Sequence, residues 1–202
     1  MNTVRLAKLA LLHPIQFFED IQERAKWHYA FVMIGLAILA HYLSLNFSGF
    51  LFQTREPYQI SILIEALWIV VPWLTWSVTN WGVSTIMDGE GKFKQIFVGS
   101  AFTLMPYIAL SVPVALVSNL LAKSEASMYN GLELFIFVWV IFLILLQVKI
   151  IHDFTFGKML WITVLTIIGM FIIWFIGLLL YGLINQSIQF LIGIYKEINY
   201  RF

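Results

Sequence analysis

The chain has 202 residues, of which 61% are hydrophobic and 11% charged, with a net charge of +1 and a mean hydropathy of +0.88. A water-soluble globule carries about 25% charged residues. The composition therefore excludes soluble enzymes, and the balance of twelve basic against eleven acidic residues excludes an electrostatic nucleic-acid footprint.

The absence of cysteine removes disulfides, thiolate metal sites and a cysteine nucleophile. The expectation is an all-α, polytopic helical bundle whose first partner is the lipid bilayer, with no nucleic-acid partner, no metal and no cofactor.

Residues 1–27 read as a cytoplasmic or interfacial segment. Arg5 and Lys8 imitate the start of a signal peptide, but His13-Pro14 cuts the apolar run and no small-residue cleavage site follows. Pro14 suits the first turn of a helix, and Phe17, Phe18 and Ile21 then share a face opposite Glu19, Gln22 and Glu23. The spacing predicts a short amphipathic helix over 14–26. It either lies in the headgroup layer or packs beneath the bundle.

Residues 28–184 form the membrane domain. A crossing needs about 20 mostly apolar residues, and five stretches qualify: about 28–48, 60–86, 96–121, 131–151 and 158–184. Gln53-Thr54-Arg55-Glu56-Pro57, Asp88-Gly89-Glu90-Gly91-Lys92, Lys123-Ser124-Glu125 and the turn from His152 to Lys158 separate them. Runs this long are helices, because barrel strands alternate over about ten residues. Arg5, Lys8, Arg24, Lys26, Lys92, Lys94, Lys149 and Lys158 fall on the amino-terminal side, against Arg55, Lys123, Lys196 and Arg201 opposite. The retention of basic residues in the cytoplasm predicts the amino terminus inside and the carboxyl terminus outside. Residues 185–202 read as an outer tail, in which Ile188, Leu191, Ile192, Tyr195 and Ile198 recur at helical spacing. That tail is either an interfacial helix or a continuation of the fifth span. A shift of 63 residues lays Trp76 on Trp139 and Phe93 on Phe156, a faint hairpin repeat that chance can supply in so aromatic a chain.

Ionisable groups inside the membrane are costly and mark candidate sites. Counting about 1.5 Å per residue puts His41 and Glu65 at one depth on adjacent antiparallel spans. A hydrogen bond between them reads first as a structural clamp and alternatively as part of a proton or cation relay. Asn80, Gln147, Ser77 and Thr79 read as interhelical hydrogen-bonding groups. Pro72, Pro106 and Pro113 are candidate kinks, since proline inside a span frees a carbonyl. Neither a zinc-hydrolase pattern nor a nucleophile elbow occurs, so no catalytic residue is expected.

Three elements carry a resemblance to a known family: His13-Pro14 followed by Phe17-Phe18, the polar turn Asp88 to Lys94 leading into a span with a central Pro106, and the turn His152-Asp153-Phe154-Thr155-Phe156-Gly157-Lys158. With these the chain resembles a small bacterial member of the Yip (Ypt-interacting protein) family of five-span membrane proteins. It lacks the Asp-Leu-x-Gly-Pro element of eukaryotic members, so their small-GTPase binding is not carried over. The resemblance implies a multi-pass protein of the bacterial cytoplasmic membrane, acting as an accessory or assembly subunit for partners such as ABC transporter permeases. The exposed Phe and Trp residues and small-residue gaps at Gly35, Gly82, Gly99, Gly169 and Gly177 suit association with other membrane proteins. The alternative expectation is a small transporter or channel built on His41 and Glu65.

Overall fold

The computed structural model describes residues 3–53, 55 and 60–201. Among the described residues the chain forms eight α-helices: α1 (Thr3–Leu12), α2 (Pro14–Arg24), α3 (Trp27–Phe47), α4 (Ile62–Ile86), α5 (Phe93–Phe102), α6 (Met105–Ser118), α7 (Ala126–Ile151) and α8 (Phe156–Arg201). A 3-10 turn, Lys123–Glu125, leads into α7. Residues 54 and 56–59 of the polar separator after the first span lie outside the described residues.

Among the described residues, five helical segments are long and apolar enough to cross a membrane: Trp27–Phe47, Ile62–Ile86, Phe93–Ser118, Lys123–Ile151 and Phe156–Glu197. The third is broken. Its two halves, α5 and α6, meet at Thr103-Leu104, and Pro106 occupies the first turn of α6 rather than its interior. Proline is tolerated there because the first-turn N–H groups have no helical acceptor. Pro72 and Pro113 do lie inside helices, and α4 and α6 run on through them.

Successive crossings alternate direction, which gives the bundle two ends. One carries α1, α2 and the turns at 87–92 and 152–155; the other carries residues 48–53, 55, 60–61 and 119–125.

At the first end the short helix α2 is packed against the bundle rather than left at its edge. Phe17, Phe18 and Ile21 are fully buried, Phe17 sits 4.8 Å from the Phe102 ring, and Gln22 donates to the Ile150 carbonyl at 2.8 Å. Of the two expectations for this segment, the structure therefore takes the packed one. The helix α1 ahead of it was not expected. Its Leu6 and Ala10, four residues apart and thus on one face, are buried in the same core. Around Phe97 the rings of Trp27, Phe31, Trp73 and Phe93 lie 4.3–5.9 Å away, joining α3, α4 and α5.

Helices α4 and α7 end alike. Asp88 and Asp153 adopt left-handed conformations (φ 56° and 52°). Beyond each, the next N–H turns back: Gly89 to the Ser84 carbonyl at 2.8 Å, Phe154 to the Lys149 carbonyl at 2.9 Å. Both are Schellman closures with Asp where Gly is usual. Beyond these turns the two hairpins differ, since α5–α6 is broken and α8 is continuous.

The tail beyond 184 is not a separate element. Helix α8 passes through Asn185-Gln186 without a break and runs for 46 residues. Met159, Ile162 and Thr166 are buried against the bundle, and Trp174 donates to Thr75 Oγ1 at 3.3 Å. From Phe171 onward every described side chain is exposed.

Candidate functional site

Glu65 lies in the first turn of α4 and is only 3% exposed, a placement that requires compensation for the lost hydration of its charge. Two partners supply it. Arg55 donates to Oε1 at 2.8 Å, and His41 Nε2 lies 2.9 Å from Oε2. In the tautomer that donates from Nε2, the His41 Nδ1 accepts the Tyr107 hydroxyl proton. Counting along two helices places His41 beside Glu65. Arg55 comes from the loop and Tyr107 from the third crossing, and neither can be reached by such a count.

The cluster stands at the mouth of a cavity of about 940 Å³ between α3, α4, α6 and α7. Helix α4 packs on α3, α5 and α8, whereas α7 packs on α6, α5 and α8 as well as α2, and the cavity occupies the space between them. Its rim is polar: Ser44, Ser48, Gln53, Arg55, Tyr129, Asn130 and Glu133. Its deeper wall is apolar, formed by Ile69, Pro72, Trp73, Trp76, Ile136, Val140, Ile144 and Met170. Pro72 thus belongs to the wall and Pro106 to the break beside it, while Pro113 does not line the cavity. Two buried lining atoms, Ser111 Oγ and Trp76 Nε1, have no hydrogen-bond partner among the described residues.

Below the cavity, polar groups tie the helices together. Trp73 Nε1 donates to Ser100 Oγ at 3.0 Å, and Ser77 and Ser100 hydroxyls pair at 3.0 Å. Gln147 donates to the Ile96 carbonyl at 2.9 Å, whereas the Thr79 hydroxyl, expected to bond between helices, is buried with no hydrogen-bond partner among the described residues. The two polar turns that separate widely spaced spans in the sequence meet at His152. The Gly91 N–H donates to its Nδ1 at 3.3 Å, its Nε2 lies 3.2 Å from Asn80 Oδ1, and Asn80 donates to Thr166 at 3.2 Å. The imidazole stacks on Phe154 at 5.2 Å, and Lys158 lies 4.6 Å over that ring. A Cβ on Gly89 or Gly91 would come within 2.7 Å of the imidazole, so only glycine admits the ring. Burial pushes the His152 pKa down to about 4, which keeps the ring neutral as this pattern requires.

The three sequence elements that carry the family resemblance thus assemble at one end of the bundle, α2 against Phe102 and Ile150 and the two turns against each other through His152. No curated protein and no solved structure matches the chain. The family model described as the Yip1 domain matches residues 8–179, well over half of the sequence, from within α1 into α8. The protein is a multi-pass membrane protein and belongs to the Yip1-domain family.

Proposed function

We propose that this Yip1-domain protein is a non-enzymatic accessory or assembly subunit that binds other integral membrane proteins, with the projecting part of α8 as its docking arm. The family resemblance points to an ABC transporter permease as the partner class and to the bacterial cytoplasmic membrane, with the amino-terminal end inside. The observation that carries the reading is the length of α8. At about 1.5 Å per residue, 46 residues extend roughly 70 Å, against about 30 Å of hydrocarbon. From Phe171 to Tyr195 this helix has no charged residue, and Ile188, Leu191, Ile192 and Tyr195 keep an apolar stripe past the point where one bilayer ends. Exposing such a stripe to water is unfavourable by about 25 cal/mol per Å², and a partner helix removes that penalty. The glycines Gly35, Gly82 and Gly177 have open space beside them, which lets a neighbouring backbone approach closely.

The test is photo-crosslinking in native membranes from Leu191, with Phe31 as a control on a different exposed face. A discrete protein adduct from Leu191 that disappears in Leu191→Glu supports the docking arm, and its identification as a permease supports the finer assignment. Lipid adducts alone from both positions reject it. The alternative reading, a small transporter or channel using His41 and Glu65, draws on the cavity at one end of the bundle. Against it stands the packed floor at Trp73, Trp76 and Phe97. Flux into proteoliposomes that vanishes in Glu65→Gln would favour the alternative.

A further inference from the structure

The cavity beside Glu65 is not needed for docking through α8, and its chemistry selects a ligand of its own. Its volume of about 940 Å³ is at the upper end of the roughly 300–1,000 Å³ found for small-molecule sites. Polarity changes along its depth, from a charged rim to a wall of Trp73, Trp76, Ile144 and Met170. A molecule that fits both ends has a polar head and an apolar tail.

The rim states which head. Arg55 is half-exposed and gives one N–H to Glu65, and among the described residues the other donors of its guanidinium remain for a phosphate. Glu133, on the opposite wall, takes the Tyr129 hydroxyl at 2.7 Å on Oε1 and keeps Oε2 for an ammonium group. An anionic head would set its charge against Glu133 and Glu65, and a cationic head would face Arg55. A zwitterion answers both signs at once. Between rim and wall, Ser111 is 7% exposed and its buried hydroxyl lacks a partner among the described residues, a costly state for a hydroxyl in a low-dielectric site. Its level is where an ester carbonyl would follow the head. We propose that the cavity holds a zwitterionic phospholipid, its phosphate at Arg55, its ammonium at Glu133, an ester oxygen at Ser111 and one acyl chain against the tryptophans.

Native mass spectrometry of the full chain, released from detergent with added phosphatidylethanolamine or phosphatidylglycerol of matched acyl chains, tests this. The expected result is one phosphatidylethanolamine retained per chain, with at least tenfold preference over the anionic lipid. Ser111→Trp, which fills the cavity, should lower that retention at least tenfold. Glu133→Gln, at an exposed position, should narrow the lipid preference at least threefold. Equal retention of the two lipids by the unmodified chain overturns the assignment. So does undiminished retention in a folded Ser111→Trp, which would mark the lipid as peripheral. Should Ser111→Trp fail to fold, the Glu133→Gln ratio decides, and an unchanged ratio is against the proposal.

Discussion

The two ends of the bundle are built from the same crossing helices and differ in almost every physical respect. Where α1 and α2 close the structure, Phe17, Phe18, Ile21, Ile96, Val98 and Phe102 are buried together, and the histidine beneath them is neutral. At the other end a charged cluster faces a cavity of about 940 Å³, and α8 leaves its neighbours after Trp174. Close packing gives one end shape, because interiors at crystal density tolerate little change. The open end gives up packing for polar groups that a ligand can use.

Deleting matched side chains separates the ends most strongly. Phe17→Ala should destabilise the protein by about 3–5 kcal/mol, as for a fully buried ring. Phe137→Ala, at an exposed ring on the cavity wall, should change stability by under about 0.5 kcal/mol. Equilibrium unfolding in detergent measures both, and similar losses would erase the contrast.

The next effect is a pH dependence confined to the packed end. An unfolded imidazole takes a proton near pH 6.5, whereas His152 resists protonation down to about 4. Its contribution is therefore complete above about pH 6.5 and falls as the pH drops from there towards 4, by roughly 3 kcal/mol in all. Melting temperatures recorded from pH 7 to pH 4 should show this fall, and His152→Asn should flatten it.

At the open end, Arg55→Ala removes one of two partners from the buried Glu65 carboxylate. Because Arg55 is itself half-exposed, the loss should be about 1 kcal/mol, smaller than for a fully buried pair. Thermal denaturation with and without added salt checks it. The smallest change is a gain: Asp153→Gly should add about 0.5–1 kcal/mol by relieving a left-handed conformation. The same substitution at Asp88 should behave alike, since both turns close the same way.

Much of this contrast was legible in local periodicity. Long apolar runs marked the crossings, and the spacing of Phe17, Phe18 and Ile21 marked the buried face of α2. His41 and Glu65 could be matched in depth because each is a fixed number of residues from a helix end. What the residues did not reveal depends on contacts between distant segments. Leu6 and Ala10 lie in the cytoplasmic or interfacial segment, and nothing local to them announces the core that covers them. Arg55 sits in an irregular loop, where no periodicity says which way its side chain turns. His152 and Gly91 lie 61 positions apart, and nothing local to either signals that the imidazole accepts that N–H. Helix α8 passes Asn185-Gln186 because two polar residues on a regular helix interrupt hydropathy without interrupting backbone hydrogen bonding.

The central claim is that one end of this bundle is closed and the other holds an accessible cavity with a polar rim. The chain has no native cysteine, so single cysteines can be placed at Ser44, in the cavity, and at Ala101, in the packed core, and treated with a membrane-impermeant maleimide in lipid-free detergent. Rapid labelling at Ser44→Cys with protection at Ala101→Cys is the predicted result. Equal protection at both, or equal labelling, would contradict it.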